Sequence, residues 1–368
     1  MNGERLRVAR EAHWMTQTDL SEASGVPTST VSKIEHGLYG PGADKFSAKL
    51  ADALDMPVSY FSDEPMPDVA DGRYRKQSKA SAKLKKSVIA HAKQVAAVME
   101  EADRRYPIRK ATIVPIEAGQ VPLDDSASIA AELRELMGLS QEGPVRNVTR
   151  ACERAGIAVV TLPVFEASER SESTRHFSGF STWPGLGADP ASRPIILLSS
   201  TLPGDVQRSS LAHEVSHIYA HTRNRSVDDK LSERQAWDIG GNFLVPIAEA
   251  REILSGGHVT LDRLKRMKAA YGVTVKFLIT YCAHNGIIDQ DKSVSLNKQY
   301  TSRGWNKSEP IEVIREKASF FPAVINRMLA DHVDVGMQRF EVARIAAEGT
   351  GAREARKDGK LIRFSVVN

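Results

Sequence analysis

The chain has 368 residues, of which 41% are hydrophobic and 26% charged, and a net charge of +4, as expected for a folded globular protein of two or three domains. No run approaches ~18 uninterrupted apolar residues, which argues against a membrane-spanning helix, and the opening MNGERLRVAREAHW lacks the apolar run of a secretory signal. The only two cysteines, Cys152 and Cys282, lie far apart, which excludes a disulfide framework and fits a reducing cytoplasm.

Residues 1–62 read as a compact helical unit. A first helix is expected from about Glu4 to Ala12. Thr16 caps a second, from Gln17 to Ala23, which ends in the turn Ser24-Gly25-Val26-Pro27. A third, TSTVSKIEHG, begins at Thr28 and closes at Gly37, and a fourth, FSAKLADALDM, carries Phe46, Leu50, Ala51 and Leu54 on one stripe. Two short helices joined by a glycine-containing turn have helix-turn-helix geometry. The loop DEPMPDVADG marks a boundary. Acidic residues outnumber basic ones up to Glu64, whereas every charged side chain from Arg73 to Lys93 is basic. A long helix is expected from about Ser81 to Arg105, with Leu84, Val88, Val95, Val98 and Ala102 as its apolar stripe.

Beyond residue 125 the pattern alternates. SIAAELRELMGL and VRNVTRACERAG read as helices, GIAVVTLP as a strand, HFSGFSTW as an edge strand and RPIILLSS as a buried strand. The helix SSLAHEVSHIYAH follows, and further helices to about residue 285 complete an α+β domain. Past Asp289 the chain reads as mixed: IEVIREKASFFPAVINRMLADHV looks helical, and GAREARKDGKLIRFSVVN has no clear pattern. The expected organisation is a helix-turn-helix domain at 1–64, a basic linker and long helix at 65–110, an α+β domain at 111–288 and an extension at 289–368. The segment Leu261–Ile288, with its YGVTVKF turn, reads as core packing in preference to a second helix-turn-helix.

The chemical centre is His213-Glu214-Val215-Ser216-His217. Histidines four apart on a helix share one face, and both rings reach a single ion. Leu211, Val215 and Ile218 fall on the opposite face. Glu214 lies about 100° round from His213, which suits a general base for water activated by zinc. Zinc held by two such histidines needs a third protein ligand and one open position. Glu233, at the start of the helix SERQAWDIGGNFLVP, is the candidate, and His221 is its competitor. Three histidines spread over one continuous helix span roughly 12 Å, which favours Glu233. The other reading of these histidines is an ordinary solvated helix face.

The stretch from Arg208 to Pro246 resembles the ImmA/IrrE family of metallopeptidases. The resemblance rests on Ala212-His213-Glu214-Val215-Ser216-His217, then Glu233-Arg234-Gln235-Ala236 and Phe243-Leu244-Val245-Pro246, and extends over about residues 75–285. It implies a zincin-like α+β fold with the His-Glu-x-x-His helix packed on a short sheet, Zn2+ as cofactor, His213, His217 and Glu233 as zinc ligands and Glu214 as the catalytic residue. Ile239-Gly240-Gly241 departs from the family's Phe-Ala-Ala. Two glycines in a helix cost roughly 2 kcal/mol relative to alanine, so a softened second helix is expected. Residues 5–61 resemble the Xre/Cro-type helix-turn-helix family through Gln17, Leu20, Gly25, Val26, Val31, Ile34, Glu35, Gly37 and Pro41. In that motif the third helix enters the major groove with its N-terminal side chains on base edges. Thr28, Ser29, Thr30, Ser32 and Lys33 are then the candidate DNA contacts, Val31 and Ile34 face the core, and Gln17 is placed for a phosphate or a base. The acidic balance of this domain argues against strong phosphate binding, and the Arg73–Lys86 block is a candidate source of the missing charge.

Together the resemblances imply a cytoplasmic, DNA-binding transcriptional regulator with a zinc-dependent endopeptidase domain acting on a repressor or other regulatory protein. Its partners would be an operator, a protein substrate such as a repressor or toxin, and a second copy of the chain as a homodimer, with no membrane. The alternative is a non-enzymatic repressor or antitoxin from a toxin-antitoxin or prophage locus, with a structural or sensory zinc site. Tyr219 and His221 are weak candidates for stabilising an oxyanion.

Overall fold

The computed structural model describes residues 1–61, 64–69, 81–120, 125–162, 177–187, 192–224 and 228–350. The N-terminal unit consists of α1 (Gly3–Ala12), α2 (Gln17–Ser24), α3 (Thr28–Glu35) and α4 (Ser47–Ala53), with 3-10 turns at Pro41–Phe46 and Val58–Phe61. Local signals set these boundaries. The Asn2 side chain accepts from the Glu4 and Arg5 amides ahead of α1. Thr16 and Asp19 form a reciprocal capping box on α2, and Gly25, at φ 67°, ends it in the left-handed region. The core of the unit gathers Leu6, Leu20, Val31, Ile34, Leu50, Leu54 and Met56. Within it Arg10 clasps Glu35 through two bonds, Nε–Oε1 at 2.6 Å and Nη2–Oε2 at 2.8 Å.

The long helix α5 (Ala82–Arg105) starts where expected, just after Ser81, whose hydroxyl accepts from the Leu84 amide. The predicted stripe is buried: Leu84, Val88, Val95, Val98 and Ala102 all lie in the core. Two units share this helix. Ala90 belongs to the N-terminal core, and Val88 and Val95 to the core beneath the sheet. Lys93 pairs with Glu4 at 2.5 Å, and the Lys83 ammonium sits over the Trp14 ring. These members of the basic block therefore lie against the N-terminal unit's α1 side, whereas residues 73–79 fall outside the described ones.

Helices α6 (Ser126–Leu136) and α7 (Val148–Arg154) lead into a three-stranded sheet of β1 (Ala158–Leu162), β2 (Gly179–Thr182) and β3 (Ile195–Ser199). The strand order is β1-β3-β2, with β3 parallel to β1 and antiparallel to β2. The expected buried strand is thus central, and the expected edge strand is at the edge. Strand alternation divides the sheet between two cores. Val159, Ile196 and Leu198 face one core, which also holds Leu211 and Val215, while Ala158, Val160, Ile195, Leu197 and Phe180 face the other, with α5.

The first face is covered by α8 (Gly204–His221) and α9 (Asp229–Leu244), followed by α10 (Ile247–Leu254), α11 (Leu261–Tyr271), α12 (Val275–His284) and α13 (Gln290–Ser302). Leu261, Leu264, Val275 and Leu278 are buried in that core, so the YGVTVKF region packs as expected. The chain then returns over the second face as α14 (Phe320–Ala330) and α15 (Arg339–Thr350). The extension, read as mixed, is helical or irregular with no strand among the described residues, and GAREARKDGKLIRFSVVN lies outside them from residue 351.

The expectation of one helix over IEVIREKASFFPAVINRMLADHV holds only for Phe320–Ala330. Ile311 has φ 66°, outside the helical region, and residues 312–319 run on without helix. Tertiary contacts hold this run instead. Gln207 exchanges two bonds with the Glu316 backbone, the Glu316 carboxylate meets Arg208 and the Thr149 amide, and Glu153 accepts from the Ser319 and Phe320 amides. No described helix is long and apolar enough to cross a membrane.

Removing one partner of a buried ion pair leaves the other charge uncompensated, at a cost of about 3–5 kcal/mol. Glu35→Ala, which removes the two-bond partner of the buried Arg10, is therefore expected to lower the unfolding free energy of the chain by that order, read as a shift of its urea midpoint.

Candidate metal centre

Helix α8 is the spine of the site. Its Leu211, Val215 and Ile218 pack into the core as the two-sided pattern predicts, and its polar side is covered as well, by α9 and β2. His213, Glu214 and His217 are consequently buried. Helix α9 is capped by Asp228, whose carboxylate accepts from the Lys230 and Leu231 amides, and its first turns bring Glu233 over the histidine pair.

The three candidate ligands converge. His213 Nε2 and His217 Nε2 are 3.0 Å apart, Glu233 Oε2 is 3.5 Å from the first, and Glu233 Oε1 is 3.3 Å from the second. Two ligands at ~2.0–2.1 Å from a tetrahedral zinc lie roughly 3.3 Å apart. One ion therefore fits the set with small adjustments, and the donor types, two imidazoles and a carboxylate, are those of an open zinc site. Among the described residues these three form the cluster able to hold a metal. Their protonation suits the task. Burial pushes His217 below its ordinary value, outweighing the nearby Glu233, and so keeps the imidazole neutral. Burial also pushes the Glu233 carboxyl up, but the facing His213 and His217 rings overwhelm this and hold it well below the usual carboxylate range. Neutral imidazole and ionised carboxylate are the ligating forms.

Glu214 points to the sheet side of the cluster. Its Oε2 accepts from Ser181 Oγ at 2.7 Å. A Cβ at Gly179 would stand 2.8 Å from both Glu214 Cγ and Oε1, so any larger residue there would push the Glu214 side chain aside. Gly179 and Ser181 share one face of β2 by strand alternation and make the seat of Glu214. The FSGFS pattern contained both residues, but nothing in it identified which face meets the helix.

The two competitors of the sequence reading are placed elsewhere. His221 meets His217 on the far side of that ring, Nδ1 to Nδ1 at 3.1 Å, and lies outside the ligand cluster. Tyr219 donates its hydroxyl to Glu132 Oε2 at 3.0 Å, on the α6 side. The glycine departure also acquires a reason. A Cβ at Gly240 would stand 3.1 Å from the backbone of Ala212 and His213, and one at Gly241 3.0 Å from the Tyr281 ring. Gly240 thus lies against the backbone of the ligand-bearing turn of α8, and Gly241 against the Tyr281 ring of α12.

The candidate DNA face lies on the N-terminal unit. Thr28, Ser29 and Lys33 are exposed along α3, Thr30 and Ser32 are half-buried, and Val31 and Ile34 enter the core. Gln17 is committed within the unit: its Nε2 donates to Glu35 Oε2 at 2.8 Å, beside the Arg10 clasp.

Alanine normally stabilises a helix over glycine by about 1 kcal/mol. Gly240→Ala should instead destabilise the chain and weaken metal uptake, because its methyl would press on Ala212 and His213. Denaturant unfolding and metal titration of this variant together measure the effect.

Residues 152–280 match the model of the IrrE N-terminal-like domain, a peptidase family, and residues 6–61 match the helix-turn-helix model. The first match contains His213, Glu214, His217 and Glu233, and the second contains α2 and α3. No curated protein matches the chain at a significant level. The chain thus carries a segment that matches the helix-turn-helix model ahead of one that matches the IrrE N-terminal-like peptidase domain.

Proposed function

We propose that this chain is a DNA-binding transcriptional regulator whose second domain is a zinc-dependent endopeptidase acting on a repressor or another regulatory protein in the cytoplasm. The observation that carries the reading is the near-tetrahedral spacing of His213 Nε2, His217 Nε2 and Glu233 with a buried carboxylate, Glu214, next in the chain. When bound, zinc supplies the Lewis acidity that acidifies water and polarises a peptide carbonyl. Glu214 takes the proton of the attacking water and returns it to the leaving amine nitrogen. Ser181 and Gly179 keep the Glu214 carboxylate in one position while it does so, and the surrounding burial excludes bulk water, strengthening charge interactions within the site.

The exposed Thr28, Ser29 and Lys33 on α3 support operator binding in the major groove. The second reading is a non-enzymatic regulator with a sensory metal. The burial of His213, Glu214 and His217 favours it, because a buried site restricts access for an extended peptide.

Glu214→Gln separates the two readings. It should abolish proteolysis of the target while leaving zinc stoichiometry and DNA affinity unchanged; a regulatory output indifferent to the change would favour the sensory reading. Gly179→Ala should lower turnover in the same direction without removing the ion, because its methyl displaces Glu214 and no ligand. For the DNA face, Lys33→Gln should reduce the salt slope of operator binding by about one, as measured by fluorescence anisotropy across a salt series.

A further inference from the structure

His221 is the one histidine of α8 that the metal cluster does not use, and it is 1% exposed. A buried imidazole needs partners for both nitrogens. Its Nε2 is 3.1 Å from Gln235 Oε1, and its Nδ1 is 3.1 Å from His217 Nδ1. An amide oxygen only accepts, so His221 carries its proton on Nε2 and offers the Nδ1 lone pair. His217 must then carry its own proton on Nδ1 and donate it to His221. That leaves His217 Nε2 as a bare lone pair, and this is the atom 3.0 Å from His213 Nε2 and 3.3 Å from Glu233 Oε1. With the Gln235 amide reversed, the relay would run backwards and place a proton on His217 Nε2, where the ion is to bind.

We infer that His221 and Gln235 are positioning residues: a two-bond relay, Gln235 to His221 to His217, that sets the tautomer and ring orientation of one metal ligand. The inference rests on the zinc reading of His213, His217 and Glu233. A histidine that binds zinc usually hands its second N–H to a carboxylate, a backbone carbonyl or water; here the acceptor is another imidazole. Helix α9 supplies both ends of the device, since Glu233 meets the ligand atoms and Gln235, two residues later, anchors the relay. Gln235 is itself buried, so the anchor is held away from solvent. Loss of such an outer partner lowers metal affinity by about 10–100-fold.

The test is metal binding by the full chain, with Zn2+ affinity measured by competition against a chromophoric chelator and site geometry by the visible absorption of bound Co2+. Wild type should take up one ion, and His213→Ala none. His221→Ala should bind Zn2+ about 10–100-fold more weakly and shift the Co2+ bands. His221→Asn, whose Oδ1 can occupy the place of Nδ1 and accept from His217, should recover most of the affinity and the wild-type Co2+ spectrum; a merely space-filling role for His221 would not distinguish acceptor from non-acceptor in this way. Gln235→Leu, which keeps all three histidines, should move in the direction of His221→Ala and carries the test if that variant does not fold. Unchanged Zn2+ affinity and Co2+ spectrum in His221→Ala or Gln235→Leu would overturn the relay while the zinc site stood. A wild-type chain that takes up no ion would overturn the zinc reading itself, and the relay with it.

Discussion

The close approach of α9 to α8 at Gly240 governs the site. Ordinary helix pairs keep their axes 8–10 Å apart because side chains fill the gap. At Gly240 there is no side chain, and the next atoms are the backbone of Ala212 and His213. Glutamate has a short reach, so Glu233 can sit 3.3–3.5 Å from both imidazoles only if its helix lies this near. The same contact aligns Gln235 with His221. One glycine thus brings a ligand, and the support of another ligand, within bonding distance of α8.

The sheet plays the complementary part. It is small, but both faces are covered, so β1 and β3 are nearly continuous apolar runs. Its edge strand β2 presents Gly179 and Ser181 to Glu214. Helices therefore carry the candidate metal ligands, and a strand fixes the Glu214 carboxylate. The two chemistries are mounted on different elements, which allows one to be altered without dismantling the other.

Much of this was legible in the chain. The cap at Thr16, the left-handed glycine at 25 and the four-residue histidine spacing are local signals that act within one turn of helix, and the elements they define formed where expected. Glu233 was legible as a candidate as well, because its helix begins only a few residues beyond the histidine helix. What the chain did not display depends on which segment passes opposite. Gly240 reads as a defect in a lone helix and as a requirement once Ala212 is beside it. Ser181 is an unremarkable strand hydroxyl until Glu214 faces it, and His221 reads as a spare ligand until Gln235 arrives from another helix. Residues 312–319 carry a helical pattern, yet Glu316 binds Thr149 of α7 and Gln207 of α8, and the Ser319 amide binds Glu153 of α7, and these contacts outweigh local propensity.

The long helix α5 has a consequence for how the chain holds together. It lends Ala90 to the N-terminal core and Val88 and Val95 to the core under the sheet, and α15 reaches back to the N-terminal unit through bonds from the Arg339 and Phe340 amides to Asp55. The same α15 grips the sheet through Arg344, which donates to the Thr161 carbonyl at 2.9 Å. A cut anywhere between the DNA-reading helices and the metal helix would expose apolar surface on both fragments. The arrangement is thus closer to one cooperative folding unit with two working ends than to two beads on a string, and melting of the DNA arm should register at the metal centre without any dedicated signal passing between them.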